Sequence, residues 1–401
     1  MRKNGLLLFC LILFSFGSFA ASRPKSMKKV VRESLDFALK QSLNMAKSLR
    51  DNPGLLPRTI DRNGHLVTCS PSWWVSGFFP GELWYLYEYS GNDSLKVLAR
   101  KFTNRVRSQQ YTTDNHDVGF MVYCSFGNGY RLTLDPDYRE VLHTAACSLM
   151  TRYNPKVGCI RSWDKASWNS QWKYPVIIDN MMNLELLMWA GHAFRDSSFI
   201  RVAESHANHT LKNHFRKDYS SYHVVSYDPQ TGKVEKKNTA QGYSDQSAWA
   251  RGQAWGLYGF TMMFRESGDS LYLNQAEHIA NFIINHPRLP KDKIPYWDFD
   301  DPKIPNTYRD ASAGAIICSA LIELSRYVPR SERTKYLKVA EIQLRSLSSP
   351  NYRAQIGQNG NFILKHSVGN WPNHSEIDVP LSYADYYYVE ALVRYRKLKG
   401  F

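Results

Sequence analysis

Two stretches of this chain repeat one another at a distance. Gly81-Glu-Leu-Trp-Tyr-Leu-Tyr-Glu-Tyr-Ser-Gly-Asn-Asp-Ser-Leu-Lys-Val-Leu-Ala99 and Gly256-Leu-Tyr-Gly-Phe-Thr-Met-Met-Phe-Arg-Glu-Ser-Gly-Asp-Ser-Leu-Tyr-Leu-Asn-Gln-Ala276 each read as an apolar helix, a Ser-Gly-(Asn)-Asp-Ser turn and a second, amphipathic helix. The unit is a helical hairpin. Looser copies occupy residues 184–209, with the turn Phe194-Arg-Asp-Ser-Ser198, and 313–344, with the turn Val328-Pro-Arg-Ser331. A unit that recurs in this way marks a helical array.

First helices are expected to open near Gly77, Asp117, Asp179, Ala248, Asp310 and Leu381, and second helices near Asp93, Asp135, Ser197, Asp269 and Ser331. A helix over residues 26–50 lacks a first partner and one over 381–399 lacks a second, so the two can complete each other. Twelve helices paired in this way close a ring, the (α/α)6 barrel of an all-α fold. The first helices are poor in charge, as in Met181-Met-Asn-Leu-Glu-Leu-Leu-Met-Trp189, and belong inside; the second carry Lys and Arg at exposed spacing. Strand-like text is scarce: Ser220-Ser-Tyr-His-Val-Val-Ser-Tyr227 with Asp228-Pro-Gln-Thr-Gly232 reads as one short hairpin. No Pro/Ser/Gly linker divides the chain, so residues 21–401 form a single domain.

Residues 1–20 are set apart. Arg2 and Lys3 precede an apolar run and the triplet Ser18-Phe19-Ala20, the pattern of a secretory signal peptide cleaved near Ala20. The expectation is export, to a bacterial periplasm, with no membrane insertion after cleavage; no other stretch has the apolar length a bilayer requires. Cys69, Cys124, Cys147, Cys159 and Cys318 are widely spaced with no CxxC pair, which signals neither a zinc site nor a disulfide framework and favours buried thiols. Apolar residues at 43% exclude disorder, and a net charge of +15 favours an anionic substrate. No basic stripe of a nucleic-acid reader appears.

Tryptophans gather in the loops before the first helices, at Ser72-Trp-Trp-Val-Ser-Gly-Phe78, Arg161-Ser-Trp-Asp164, Trp168, Trp172, Trp297 and Trp371. In a ring these loops share one mouth, where flat aromatic faces stack on sugar rings. Core packing competes for any single tryptophan. Asp117, Asp179, Asp245, Asp310 and Asp385 each fall near the start of a first helix, so five carboxylates could ring one cavity. Helix capping is the competing account, and the pattern alone does not choose a catalytic pair.

At these residues the chain resembles the unsaturated glucuronyl hydrolases, glycoside hydrolase family 88. The motifs are Trp74-Val-Ser-Gly-Phe-Phe-Pro-Gly81, His116-Asp-Val-Gly-Phe120, Asp179-Asn-Met-Met-Asn183, Gln241-Gly-Tyr-Ser-Asp-Gln-Ser-Ala-Trp-Ala-Arg-Gly-Gln-Ala-Trp255, Asp310-Ala-Ser-Ala313 and Asp378-Val-Pro-Leu-Ser-Tyr-Ala-Asp-Tyr386. The resemblance implies an (α/α)6 barrel and an exo-acting enzyme, without cofactor or metal, whose substrates are lyase-generated oligosaccharides ending in an unsaturated uronic acid, glycosaminoglycan fragments first among them. It implies Asp179 and Asp117 as the catalytic pair. Asp179 is expected to donate a proton to C4 and then draw one from water, its pKa raised by the neighbouring carboxylate and the substrate's charge. Ionised Asp117 is expected to stabilise positive charge and to orient the sugar.

The resemblance further implies that His116, His223, Gln241, Arg251 and Trp255 bind the sugar between walls of Trp74 and Trp163. For His223 an ordinary strand position competes, and for Arg251 an ion pair with Asp245 or another rim acid. His206 and His209 are expected on the solvated face of a second helix. Members acting on sulfated fragments resemble one another in a Ser-x-x-Ser-x-Lys pattern, where this chain reads Ser367-Val-Gly-Asn-Trp-Pro372. Lys365, His366, Asn373 and His374 are the candidates to substitute. Competing readings are an unsaturated rhamnogalacturonyl hydrolase on pectin fragments, a polysaccharide lyase and a non-catalytic glycan-binding protein.

Overall fold

The computed structural model describes residues 25–401, so the leader lies outside the described residues. Among them α1 (Met27–Ser48) stands without a preceding partner, and five hairpins follow: α2 (Phe78–Ser90) with α3 (Asp93–Arg105), α4 (Asn128–Thr133) with α5 (Pro136–Met150), α6 (Leu184–Phe194) with α7 (Ser197–Asn213), α8 (Ala250–Ser267) with α9 (Ser270–Asn285), and α10 (Ala311–Leu324) with α11 (Arg330–Leu347). α12 (Ser382–Lys399) then packs on α1 and completes the sixth pair. Around the axis α2, α4 with its preceding π-turns, α6, α8, α10 and α12 touch in that order, and α12 closes back on α2. This is the expected (α/α)6 barrel.

Burial follows the sequence pattern. All 14 residues of α10 are buried, as an inner helix apolar on every side requires, whereas α11 buries one stripe from Tyr336 to Leu347. The hairpin turns share a mechanism: α2 and α8 stop at Gly91 (φ 65°) and Gly268 (φ 75°), and Asn92 and Asp269 then cap the next helix by accepting the amides of Ser94 and Leu271. At the matching place after α6 the left-handed residue is Arg195 (φ 55°).

The mouth where the inner helices begin carries more β-structure than the sequence suggests. β1 (Leu56–Ile60) pairs with β2 (Leu66–Cys69), and β3 (Tyr153–Asn154) with β4 (Cys159–Ile160). β5 (Tyr174–Ile177), β6 (Val224–Tyr227) and β7 (Val234–Asn238) form an antiparallel sheet, and β8 (Ser367–Asn370) pairs with β9 (Ser375–Val379). The hairpin read at 220–232 is therefore β6 and β7, and β5, from beyond a whole helical pair, adds the third strand. Strands of two to five residues are too short for alternation to register.

Two other expectations need correction. His206 is fully buried, its Nδ1 accepting the Ile160 amide at 3.0 Å, because α7 turns that face toward β4 rather than to solvent. Cys69, Cys124, Cys159 and Cys318 are buried free thiols as expected, but Cys147 on α5 is exposed.

Halfway along the barrel the interior is crossed by aromatic rings. Phe78, Phe120, Trp255 and Tyr387 are all 2% exposed or less, with Phe120 5.2 Å from Trp255 and Trp255 5.5 Å from Tyr387 between ring centroids. This plate floors the mouth described next.

Candidate active site

Asp117 and Asp179 arrive at the axis on two irregular turns that lock together. Asp117 precedes a π-helical stretch, Gly119–Gly127, and Asp179 lies in a 3-10 turn, Ile178–Met182. The Phe120 amide donates to Asn183 Oδ1 at 2.9 Å. A Cβ on Gly119 would stand 2.6 Å from the Asn183 Cα, so only glycine permits this approach. The Gly of one motif and the Asn of the other thus bring the two aspartates onto one cavity. Wide π-turns of this kind recur at functional sites. Neither carboxylate caps a helix.

The other three aspartates of the pattern do structural work, so the ring of five is corrected to a pair. Asp310 caps α10 by accepting the amides of Ser312 and Ala313. Asp385 accepts the amides of Ile363 and Leu364 at 2.7 and 2.8 Å. Asp245 binds the Asn238 side chain and the Thr239 amide on the exposed rim.

β6 delivers His223. Its Nδ1 accepts the amides of Ala240 and Gln241, each at 3.1 Å, which places the ring proton on Nε2. Nε2 stands 3.6 Å from Asp179 Oδ2, and neither atom has a hydrogen-bond partner among the described residues. Burial, reinforced by the charge of Arg251, holds the imidazole well below its ordinary pKa, so it is a neutral donor. His116 Nε2 lies 3.4 Å from Asp117 Oδ1; burial first, then the charge of Arg152, push that ring down to about 3.

Arg251 pairs with Asp310 at 3.4 Å, not with Asp245. Its terminal nitrogens donate to Gln241 Oε1 at 2.7 Å, to the Gly369 carbonyl at 2.6 Å and to the Val368 carbonyl, so it ties the β8–β9 hairpin to the mouth and keeps only Nε free. Trp74 is half-buried against Tyr383 (4.9 Å) and Phe120 (5.6 Å). Trp163 stands edge-on to His223 at 6.2 Å. Trp255 is fully buried in the plate, so it offers no open face; its indole N–H faces Asp179 instead and favours the carboxylate.

Both catalytic candidates hold their protons far above the ordinary carboxylate range. Burial pushes Asp179 up to about 7, opposed by Arg251. Burial and then the charge of Asp179 push Asp117 up to about 8. The effect expected of the neighbouring carboxylate therefore falls on Asp117, while Asp179 is raised by burial. Such values suit a general acid working near neutrality.

Sequence reasoning missed Tyr383, Arg152 and Asn183. The Tyr383 hydroxyl is buried without a partner, within the fields of Arg251 and Asp179. Its signal was present, since Leu-Ser-Tyr-Ala-Asp opens α12 as the other motifs open theirs. Arg152 follows α5 and buries its guanidinium against the carbonyls of Thr113 and Arg161, a placement that no local pattern announces. Unpartnered polar atoms of His116, Asp179, His223, Arg251, Trp255 and Tyr383 thus come from different elements to one end of the barrel. Buried polar groups left in this way are costly unless a ligand or solvent meets them.

The model of Glycosyl Hydrolase Family 88 matches residues 55–399. The chain is 48% identical over 347 residues to an unsaturated glucuronyl hydrolase of Formosa agariphila, covering 85% of each. It is 35% identical over 383 residues to an unsaturated chondroitin disaccharide hydrolase of Streptococcus pneumoniae, covering 93% of this chain and 94% of that one. Among solved structures, an unsaturated glucuronyl hydrolase specific for heparin superposes with a TM-score of 0.90 at 50% identity, over 93% of this chain and 99% of the other. An Asp-to-Asn variant from Streptococcus agalactiae, complexed with dGlcA-GalNAc6S, superposes with a TM-score of 0.79 at 31% identity, over 94% of each chain.

Proposed function

The chain belongs to glycoside hydrolase family 88 and is an unsaturated glucuronyl hydrolase, and on that premise we propose that Asp179 and Asp117 hydrate the terminal unsaturated uronic acid of heparin-type disaccharides. The observation that carries the assignment is that the buried carboxyl of Asp179 and the partly buried one of Asp117, held together by the Gly119–Asn183 contact, both keep their protons to about neutrality.

Protonated Asp179 transfers its proton to C4, and the C4=C5 electron pair forms the new C–H bond. Positive charge develops over C5 and the ring oxygen; Asp117, which keeps its proton up to about 8, meets it as a carboxyl dipole and not as the anion expected of it, beside the site's other dipoles. Water attacks C5 and gives its proton to the Asp179 carboxylate, which regenerates the acid. The resulting hemiketal opens between C5 and the ring oxygen, and C1 then expels the aglycone, leaving a 4-deoxy-5-keto uronate. The Nε2–H of neutral His223 orients the Asp179 carboxylate between the two proton transfers, and Arg251 holds Gln241 and the β8–β9 hairpin in place. Trp74 and Trp163 wall the sugar. No cofactor enters these steps.

Heparin-type fragments are favoured by the 50% identity to the heparin-specific structure. Trp371 stacks on Trp297 at 5.3 Å where the sulfate-binding pattern continues toward its Lys. Lys365 donates to the Pro350 carbonyl and His366 pairs with Asp378 at 2.6 Å, so neither is free for a sulfate on the second sugar. We also propose that the chain acts in the periplasm, as its basic-apolar leader suggests. Loss of the C=C absorbance tests the substrate: turnover of unsaturated heparin disaccharides should exceed that of chondroitin 6-sulfate disaccharides, and the reverse order overturns the proposal.

A further inference from the structure

Below the aromatic plate the barrel interior opens again. A cavity of about 940 Å³ runs from the level of Gly119, Met182 and Glu185 to the C-terminal ends of the inner helices, lined by residues of all six; neither Asp117 nor Asp179 lines it. Interiors close-pack, and voids larger than a water molecule are few. This one reaches the upper end of the roughly 300–1,000 Å³ typical of small-molecule sites.

We infer that this rear cavity is a binding site for a neutral saccharide, separate from the hydrating site.

Apart from Arg326 on the exposed rim, which has no ion pair among the described residues, charge on its walls is balanced internally. Arg265 pairs with Glu185, Glu266 and Glu323, and Arg394 with Glu323 at 2.7 Å. Arg131 and Lys397 share Glu88. Glu390, 1% exposed, accepts from Tyr85, Tyr258 and Ser319 at 2.6 to 2.9 Å. The Arg and Lys groups also face the negative ends of the inner helices, which accounts for their presence without any ligand. Inside that rim an anion or a cation would have to break one of these pairs; a polyol needs only to add hydrogen bonds to carboxylates and guanidinium groups already fixed in place.

Two features are left over by that structural account. The hydroxyls of Tyr123 and Tyr387 line the cavity and carry no hydrogen bond from the described residues, although Tyr387 is 2% exposed. Trp189 is half-buried on the wall, held edge-on by Tyr130 at 5.5 Å, so its position is set before any ligand arrives. A rigid indole face beside unpartnered hydroxyls and planar charged groups matches the alternating C–H and O–H surface of a pyranose.

The test uses the whole chain with N-acetyl-D-glucosamine as the neutral probe, beside glucuronate as the anion and D-glucosamine as the cation of the same ring. The neutral sugar should bind, followed by tryptophan fluorescence, and Trp189→Ala should weaken it roughly tenfold. Turnover of an unsaturated disaccharide should stay within about twofold of the unsubstituted chain, because Trp189 lies below the plate. Tyr123→Phe, which removes one hydroxyl and no packing, should also weaken binding and carries the test if Trp189→Ala does not fold. Binding unmoved by both variants, displacement of the sugar by an unsaturated disaccharide, stronger uptake of either charged probe, or no uptake of the neutral one each overturns the inference.

Discussion

Nε2 of His223 faces Oδ2 of Asp179 across 3.6 Å, and the backbone amides of Ala240 and Gln241 hold the far side of the imidazole so that it presents a proton to that oxygen. A neutral donor beside a carboxyl that cycles between acid and anion favours the anion without neutralising it, and keeps the group aimed at one place through both proton transfers.

Asp179→Asn should abolish turnover, by about 10²–10⁴-fold or more, while an unsaturated disaccharide still binds. Calorimetry with the variant checks binding and the C=C absorbance checks turnover. Retained turnover would exclude Asp179 as the acid.

The pH profile should fall on its alkaline side. Asp179 must be protonated to begin the reaction, and its raised pKa of about 7 means that the acid form is present below that pH and is lost above it. Since burial rather than Asp117 raises Asp179, this limb should stay near pH 7 in the residual activity of Asp117→Asn. In Asp179→Asn the Asp117 carboxyl should drop below about 8, because a like charge has gone, and carbon NMR titration reads that shift.

His223→Phe should lower kcat by roughly fivefold, from loss of the neutral N–H that stands 3.6 Å from Asp179 Oδ2 and favours its anion by about 1 kcal/mol. The Ala240 and Gln241 amides lose their acceptor as well, so the melting temperature should fall with it. A variant whose kcat is unchanged would show that the Nε2–H contact plays no part.

Gly119→Ala tests the contact that joins the two motifs. The added methyl would meet the Asn183 backbone at 2.6 Å and cannot be relieved by a side-chain rotation. The expected cost is about 1–3 kcal/mol of stability in denaturant unfolding, with a fall in kcat at Asp179 and Asp117, which are pushed apart.

Arg195→Gly should stabilise the chain by about 0.5–1 kcal/mol. Arg195 is exposed and holds a φ of 55° at a turn where the equivalent hairpins use Gly91 and Gly268. A higher denaturation midpoint with unchanged activity is the expected outcome.

The amino-acid sequence by itself determined the barrel. Helical periodicity, Gly stops and Asx caps act within a few residues of one another, so the hairpins from Phe78 to Leu347 could be read locally, and the complementary lone helices at the two ends required closure. The motifs also carried Asp117 and Asp179. Tertiary structure alone decided what the remaining polar groups do. Asp310 took the local capping role that was open to it, while Asp385 and Arg251 became ties because amides 21 to 22 positions away and carbonyls 117 to 118 positions away reach them. Trp255 went into the plate, Tyr383 joined the site, and the pKa order of the two carboxyls was set by the charges of Asp179 and Arg251 acting on top of burial. The Asp310 cap apart, each of these depends on contacts between residues more than 20 positions apart, for which no local pattern in a chain carries a signal.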